Sequence, residues 1–227
     1  MPSKRPRAIA DAGAPTARGS VYHILYTLVV CGAGISLLWL FAQDLATTDL
    51  LVIVPTFFIA NLVEYAVHRW LMHRHVRALV AMLKLHMVHH NYFAENDYYL
   101  RQFIDYQMVV FPPLVLNLLT LFVTLPLAWI AFFTAGRNVA LLFIATVMAY
   151  YLLMQVLHVL AHTDEHHWIH RVPGIDYLRM HHNIHHDHDE MAHRNFNFII
   201  PISDWLLGTS KIDTASQHKA AKYRLFR

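Results

Sequence analysis

Cysteine and charged residues are both scarce in this sequence. Of its 227 residues, one is a cysteine, Cys31, and only 15% are Asp, Glu, Lys or Arg. A single cysteine excludes a disulfide within the chain, and it excludes zinc or iron–sulfur sites built from several thiolates. Soluble domains carry about 25% charged residues. A chain that is 56% hydrophobic and so poorly charged is therefore predicted to be an integral membrane protein.

Several motifs of other protein classes are also missing. The chain shows no obvious Ser or Cys nucleophile with its own base. It does not have two Glu-x-x-His pairs, the pattern of soluble di-iron bundles, and we attribute the single match at residues 190–193 to chance. No basic stripe is interleaved with aromatic residues, so nucleic acid is not expected as a partner. We interpret the net charge of +3 as a mark of cytoplasmic segments.

Four apolar runs are long enough to cross a membrane as helices. They are residues 21–43, 50–67, 107–134 and 139–157. Pro112, Pro113 and Pro126 predict a kink in the third run, and Gly32 and Gly34 in the first are assigned to helix packing. The predicted organisation is a disordered basic tail, a membrane domain and a short C-terminal tail. Their bounds are residues 1–20, 21–210 and 211–227.

The distribution of basic residues predicts the orientation of the chain. With four spans and both ends inside, every Lys and Arg except Arg137 falls on the cytoplasmic side, which is the side that these residues favour. Both termini and the histidine-rich segments are therefore predicted to be cytoplasmic. The membrane would be a bacterial inner membrane, or that of the endoplasmic reticulum if the protein is eukaryotic.

Histidine is in excess, with 19 residues. Ten of them form four spaced groups beside the apolar runs. Because side chains three and four positions apart share a helix face, members of one group can reach the same metal ion. Adjacent residues lie about 100° apart around a helix, so adjacent histidines can reach two different ions. The ten are His68, His73, His86, His89, His90, His158, His162, His182, His185 and His186.

Neutral imidazoles bind zinc, copper, iron or nickel. Ten candidates are too many for one structural ion, which needs about four ligands, and they are enough for two catalytic ions. His68 and His73 are five positions apart, so they can share a site only where the helix ends, bends or contains a wide turn. His181 is an alternative to His182. Glu64 is expected to support a ligand imidazole or to pair with an arginine.

From Glu64 to Thr209 the residues resemble the membrane fatty acid hydroxylase / sterol desaturase superfamily. The four histidine groups match that pattern in order. The ending Asp204-Trp205-Leu206-Leu207-Gly208-Thr209 is similar to the superfamily's Trp-Asp-x-x-Phe-Gly-Thr, with the Trp displaced and Leu replacing Phe. The resemblance implies an all-α membrane protein with four transmembrane helices and a cytosolic helical cap. It also implies that the ten histidines are ligands of two iron ions, which zinc can replace in purified protein.

The implied activity is O2-dependent hydroxylation of a fatty acyl or related lipid from the bilayer. Electrons are expected from an external ferredoxin or cytochrome b5 type of protein, because the chain shows no cytochrome b5-like domain. A sterol or lipid desaturase and a carotenoid hydroxylase would use the same ligands. A metal transporter is disfavoured because transporters place their ligands near the membrane midplane. A metal-storage or sensor protein is disfavoured by the regular spacing on helices.

Overall fold

The computed structural model describes residues 14–94 and 98–212, and these residues contain helices and no strand. The chain divides into two compact units. Among the described residues, the histidine unit contains residues 64–94, 98–100 and 157–212 with residue 14, and the span unit contains Pro15–Val63 and Arg101–Val156. Most of the two predicted tails, residues 1–13 and 213–227, lies outside the described residues.

Nine α-helices are present in the described part of the chain, and four stretches are long and apolar enough to cross a membrane. These stretches are Ala17–Phe41, Asp49–Met72, Phe103–Ala135 and Arg137–Ala161. The predicted all-α, four-span architecture is thereby confirmed. The helices are α1 Ala17–Phe41, α2 Ile53–Ala66, α3 Val80–Tyr92, α4 Tyr106–Val109, α5 Pro113–Leu119, α6 Leu125–Ala135, α7 Arg137–Ala161, α8 Ile175–His185 and α9 Ile202–Leu206.

Helix α1 begins earlier than the apolar run that predicted it. The hydroxyl of Thr16 accepts a hydrogen bond from the backbone N–H of Gly19 at 3.0 Å and caps the helix, because a threonine oxygen can satisfy a free N–H of the first turn. Residues 17–20 are therefore helical, and the prediction that they are disordered is wrong. Trp39, which is 84% exposed, and Leu40 show that α1 carries apolar side chains on its outer surface.

Proline breaks the third candidate span, and the predicted kink is in fact a complete interruption. Helix α4 ends at Val109, and α5 begins at Pro113 with Pro112 as its N-cap. A proline fits the first turn of a helix because its missing N–H has no partner there. Farther along, the π-helical turn Thr120–Thr124 precedes α6. This wider turn accommodates Pro126, which cannot donate to the carbonyl four residues before it.

Close packing and side-chain hydrogen bonds hold the helices of the span unit together. The Tyr26 hydroxyl donates to Asn117 Oδ1 at 2.5 Å, and Asn61 Nδ2 donates to the Tyr150 hydroxyl at 3.1 Å. Gly34 is buried against Met148, a side chain that is only 3% exposed. Asn61 therefore contributes to helix packing within this unit.

Gly34→Val is expected to destabilise the protein, whereas Gly32→Val should have little effect. A Cβ atom at Gly34 would lie 2.6 Å from Cγ of Met148, while a Cβ at Gly32 would meet nothing within 4 Å. Overpacking of this kind costs about 1–3 kcal/mol. Thermal unfolding of both variants in detergent micelles measures the difference. Equal melting temperatures for the two variants would contradict the close contact between Gly34 and Met148.

Candidate metal centre

A π-helical turn brings the first two histidines together. Residues Val67–Met72 form this turn directly after α2, and His73 follows it. Because a π-helix bonds residues five positions apart, His68 and His73 fall on one side of the chain. Their ring centroids are 5.1 Å apart. The wide turn that the spacing required is thus present.

Helices α3 and α8 each divide their histidines between two faces. On α3, the His86 and His90 rings lie 4.6 Å apart, and His89 points elsewhere because its position is offset around the helix. At the end of α8, the rings of His182 and His186 lie 4.6 Å apart. Each helix therefore supplies ligands to two separate groups.

Nine of the ten predicted ligands form two clusters. Within each cluster the candidate ligand atoms lie within 4.8 Å of one another, and every member except His73 is classed as buried. Either cluster could hold a metal ion; the number and the identity of the ions stay predictions. The first cluster is His68, His73, His86, His90 and His185, and the second is His89, His162, His182 and His186.

His158, the tenth predicted ligand, borders the second cluster without belonging to it. Its Nε2 lies 3.3 Å from Nε2 of His89, and its ring centroid lies 4.7 Å from that of His182. It occupies the last turn of α7, one turn before His162. Its role as a ligand remains a prediction.

Backbone carbonyls hold four of the clustered imidazoles in one tautomer. A carbonyl oxygen only accepts hydrogen bonds, so each ring must carry its proton on Nδ1, and the Nε2 lone pair remains available for a metal. The Nδ1–O distances are 2.5 Å from His68 to Phe196, 2.8 Å from His185 to Arg194, 2.8 Å from His162 to Tyr98 and 2.9 Å from His186 to Phe93.

The Nε2 atoms approach one another as ligands of one ion would. Nε2 of His86 lies 2.9 Å from that of His68, 2.9 Å from that of His73 and 3.0 Å from that of His90. A neutral imidazole has one ring proton, which cannot serve three such contacts. Two nitrogens bound at about 2.1 Å to one ion, at right angles, would be about 3.0 Å apart. The donor set therefore fits a divalent metal ion.

Burial keeps these imidazoles in the neutral form that binds metals. Desolvation, reinforced by the neighbouring imidazoles, lowers the pKa of His86, His90 and His182 well below its usual value. The same two causes lower the pKa of His185 and His186. A lowered pKa leaves each ring unprotonated near neutral pH, so no proton competes with a metal ion for the ligand nitrogen.

A family model described as fatty acid hydroxylase matches residues 52–209, and all ten predicted ligands lie within that match. The chain belongs to the fatty acid hydroxylase family. The resemblance found in the histidine groups is thereby confirmed. Comparisons with curated proteins and with solved structures gave no match.

In this member of the fatty acid hydroxylase family, Asp204 organises the segment that follows the last histidine group. Its fully buried carboxylate accepts hydrogen bonds from the N–H of Phe196 at 3.0 Å, the N–H of Asn197 at 2.8 Å and the hydroxyl of Thr209 at 2.7 Å. Burial raises the pKa of Asp204, but these bonds and His181 outweigh burial and hold it below its usual value. The side chain is therefore an ionised anchor.

The Asp204 anchor connects to the first cluster through the backbone. Phe196 donates its N–H to Asp204, and its carbonyl accepts from His68. The neighbouring Arg194 carbonyl accepts from His185. Sequence reasoning noted the ending that contains Asp204 only as a family-like feature. The proximity of Asp204 to the last histidine group could have indicated a supporting role. The sequence does not show which N–H groups its carboxylate binds.

His181, Glu64 and the other histidines of this part of the chain lie at the edge of the clusters or away from them. His181 Nε2 lies 3.4 Å from Asp204 Oδ2 and belongs to neither cluster, whereas its alternative His182 belongs to the second. Glu64 accepts a hydrogen bond from the N–H of Phe198, a partner that was not anticipated; its supporting role stays a prediction. His170 is buried and bonds Thr163 at 2.9 Å. His166, His167, His188 and His193 are exposed.

Each cluster is expected to bind one ion, so wild-type protein from iron-replete cells should contain about two metal ions per chain. His86→Ala, in the first cluster, and His182→Ala, in the second, should each reduce this number to about one, because a central ligand of one ion is lost. Elemental analysis of the purified proteins measures the content. His188→Ala, at an exposed position, is the control. A single ion in the wild type under every loading condition would refute the two-ion arrangement.

Asp204→Asn is expected to weaken metal binding at the first cluster more than at the second. The neutral amide is a poorer acceptor for the N–H of Phe196, whose carbonyl orients His68. Changes around metal ligands commonly cost about 10–100-fold in affinity. Titration with a competing chelator should show one site weakened by that range and the other weakened less. Asp189→Asn, at an exposed residue, is the control. Equal affinities in Asp204→Asn and wild type would remove Asp204 from this role.

Proposed function

We propose that this protein is a membrane-bound, O2-dependent lipid hydroxylase in which each histidine cluster holds one iron ion. The observation that carries the proposal is the adjacency of two buried imidazole clusters in a member of the fatty acid hydroxylase family. The rings of His90 in the first cluster and His186 in the second are stacked with centroids 4.3 Å apart. Two ions bound there would be close enough to act on one substrate.

The proposed reaction converts a C–H bond of a lipid chain to C–OH. It consumes O2, two electrons and two protons, and it releases one water molecule. Bound iron would supply the O2 chemistry that an unactivated C–H bond requires, and zinc can occupy the same imidazoles in purified protein. The electrons come from an external protein of the ferredoxin or cytochrome b5 type.

The protein's own residues hold the metals and keep water away from the reaction. Imidazole Nε2 atoms are the ligands, and backbone carbonyls fix their orientation. The buried rings of Phe93, Phe196 and Phe198 pack against the imidazoles and exclude water from around them. A dry site protects a reactive oxidant from side reactions, which fits oxidation of a hydrocarbon chain.

The proposed substrate enters from the bilayer, and the proposed location of the site is the cytoplasmic side of a bacterial inner membrane. Four apolar helices support a multi-pass membrane protein. The bias of Lys and Arg supports cytoplasmic termini. A lipid chain already lies in the membrane beside these helices, so no aqueous transfer step is needed.

Lipid analysis tests the proposal directly. Cells expressing the wild type should accumulate a lipid that contains one additional oxygen atom. When the cells are supplied with isotopically labelled O2, that atom should carry the label. A double variant, His86→Ala with His182→Ala, should form none, because a central ligand is lost from each cluster. His188→Ala should match the wild type.

The same analysis separates the alternatives. A product that has lost two hydrogen atoms would indicate a desaturase, and an oxygenated carotenoid would indicate a carotenoid hydroxylase. Identical lipid extracts from the wild type and the double variant, across fatty acyl, sterol and carotenoid fractions, would contradict an oxidase function. Metal efflux that depends on the clusters would then support a transporter.

A further inference from the structure

The ring of Phe198 packs against histidines of both metal clusters. Phe198 is only 4% exposed. Its ring is stacked on that of His68 in the first cluster, with centroids 4.7 Å apart and planes inclined by 13°. It also lies 5.0 Å from the ring of His182 in the second cluster and 4.5 Å from the ring of His158. An apolar surface thus spans the junction of the two clusters.

Other aromatic rings near the site each contact one cluster. The ring of Phe196 lies 5.7 Å from those of His68 and His185 in the first cluster. The rings of Phe93 and Tyr98 each lie 4.4 Å from that of His162 in the second cluster. Of these four aromatic residues, Phe198 is the one whose ring contacts histidines of both clusters. A substrate atom held between the clusters would therefore lie beside the Phe198 ring.

Phe198 also packs on the two histidines that belong to candidate membrane spans. His68 lies in the stretch Asp49–Met72, and His158 lies in Arg137–Ala161. The other eight predicted ligands lie outside all four candidate spans. The ring that covers His68 and His158 is apolar, so it can contact a hydrocarbon chain without leaving a polar group unpaired.

Glu64 fixes the backbone of Phe198 to the helix that carries His68. The Glu64 carboxylate accepts a hydrogen bond from the N–H of Phe198, and Glu64 is only 8% exposed. It lies one turn before His68 on the same helical stretch. One element therefore sets both the position of the imidazole and the position of the ring stacked on it.

We propose that Phe198 is a specificity-determining residue for the lipid chain and that Glu64 is its positioning residue; the proposal rests on the hydroxylase function proposed above. The ring forms the wall that the chain contacts beside the two clusters. Its size determines how far the chain extends past the metals and therefore which carbon is oxidised. A smaller side chain at this position allows the chain to extend farther.

Photochemical labelling tests the contact without any turnover. Metal-free, full-length protein in lipid nanodiscs is irradiated with an acyl chain that carries a diazirine, and the labelled residues are mapped by mass spectrometry. Label is expected at Phe198 and at exposed span residues such as Trp39, but not at Phe196, whose ring contacts histidines of the first cluster and not of the second. Label at Trp39 without label at Phe198 would overturn the proposal.

Substitution tests the effect on the reaction. Phe198→Leu and Phe198→Ala are expected to move the hydroxylated position by at least one carbon while metal content stays at the wild-type value. Phe196→Leu should leave the position unchanged. Glu64→Ala should broaden the range of positions, and Glu64→Gln, which keeps an acceptor oxygen, should do so less.

The outcomes separate this inference from the proposed function. An unchanged product position in both Phe198 variants would overturn the inference while the hydroxylase function stands. If both Phe198 variants lose metal and the wild type shows no label at Phe198, the ring has a structural role and the inference is also overturned. Absence of any oxidised lipid from the wild type would refute the hydroxylase function, and the labelling result would still decide whether a lipid chain reaches Phe198.

Discussion

A buried neutral imidazole needs an acceptor for its N–H and a donor or a cation for the lone pair of its other ring nitrogen. This requirement determines which groups surround the histidines of the histidine unit. The carbonyls of Phe93, Tyr98, Arg194 and Phe196 satisfy the first need. In the proposed function a metal ion in each cluster would satisfy the second, because one ring proton cannot serve the three close nitrogen contacts of His86. Leaving such groups unpaired in a dry interior would cost several kcal/mol in total.

The carbonyls that orient the ligands lie outside the helices that carry most of the ligands. Their position depends on anchors such as Asp204, which accepts from two successive backbone N–H groups and from Thr209. The candidate metal centre is therefore linked, through the backbone of Phe196, to a carboxylate that belongs to neither histidine cluster. The same segment places Phe198 against histidines of both clusters, so in the proposed function it would join metal binding to contact with the lipid chain.

Some features of the chain follow from local spacing and were predictable. The apolar runs indicated four spans because a membrane-crossing helix needs about 20 apolar residues. His86 and His90 share a face of α3 because they are four positions apart. The five-residue separation of His68 and His73 required a wide turn, and the π-helical turn provides it. Which residues share a face of one helical segment depends on the number of residues per turn, so it can be predicted from their spacing in the sequence.

Relations between segments that are distant along the chain were decided only by the tertiary structure. The sequence by itself determined the membrane class, the histidine groups and the family. It did not show that His185 joins the cluster of His68, that Gly34 rather than Gly32 is a packing site, or that Glu64 binds the N–H of Phe198. These contacts join residues far apart in the chain, and their free energy comes from packing and desolvation in three dimensions, which spacing along one helix does not encode.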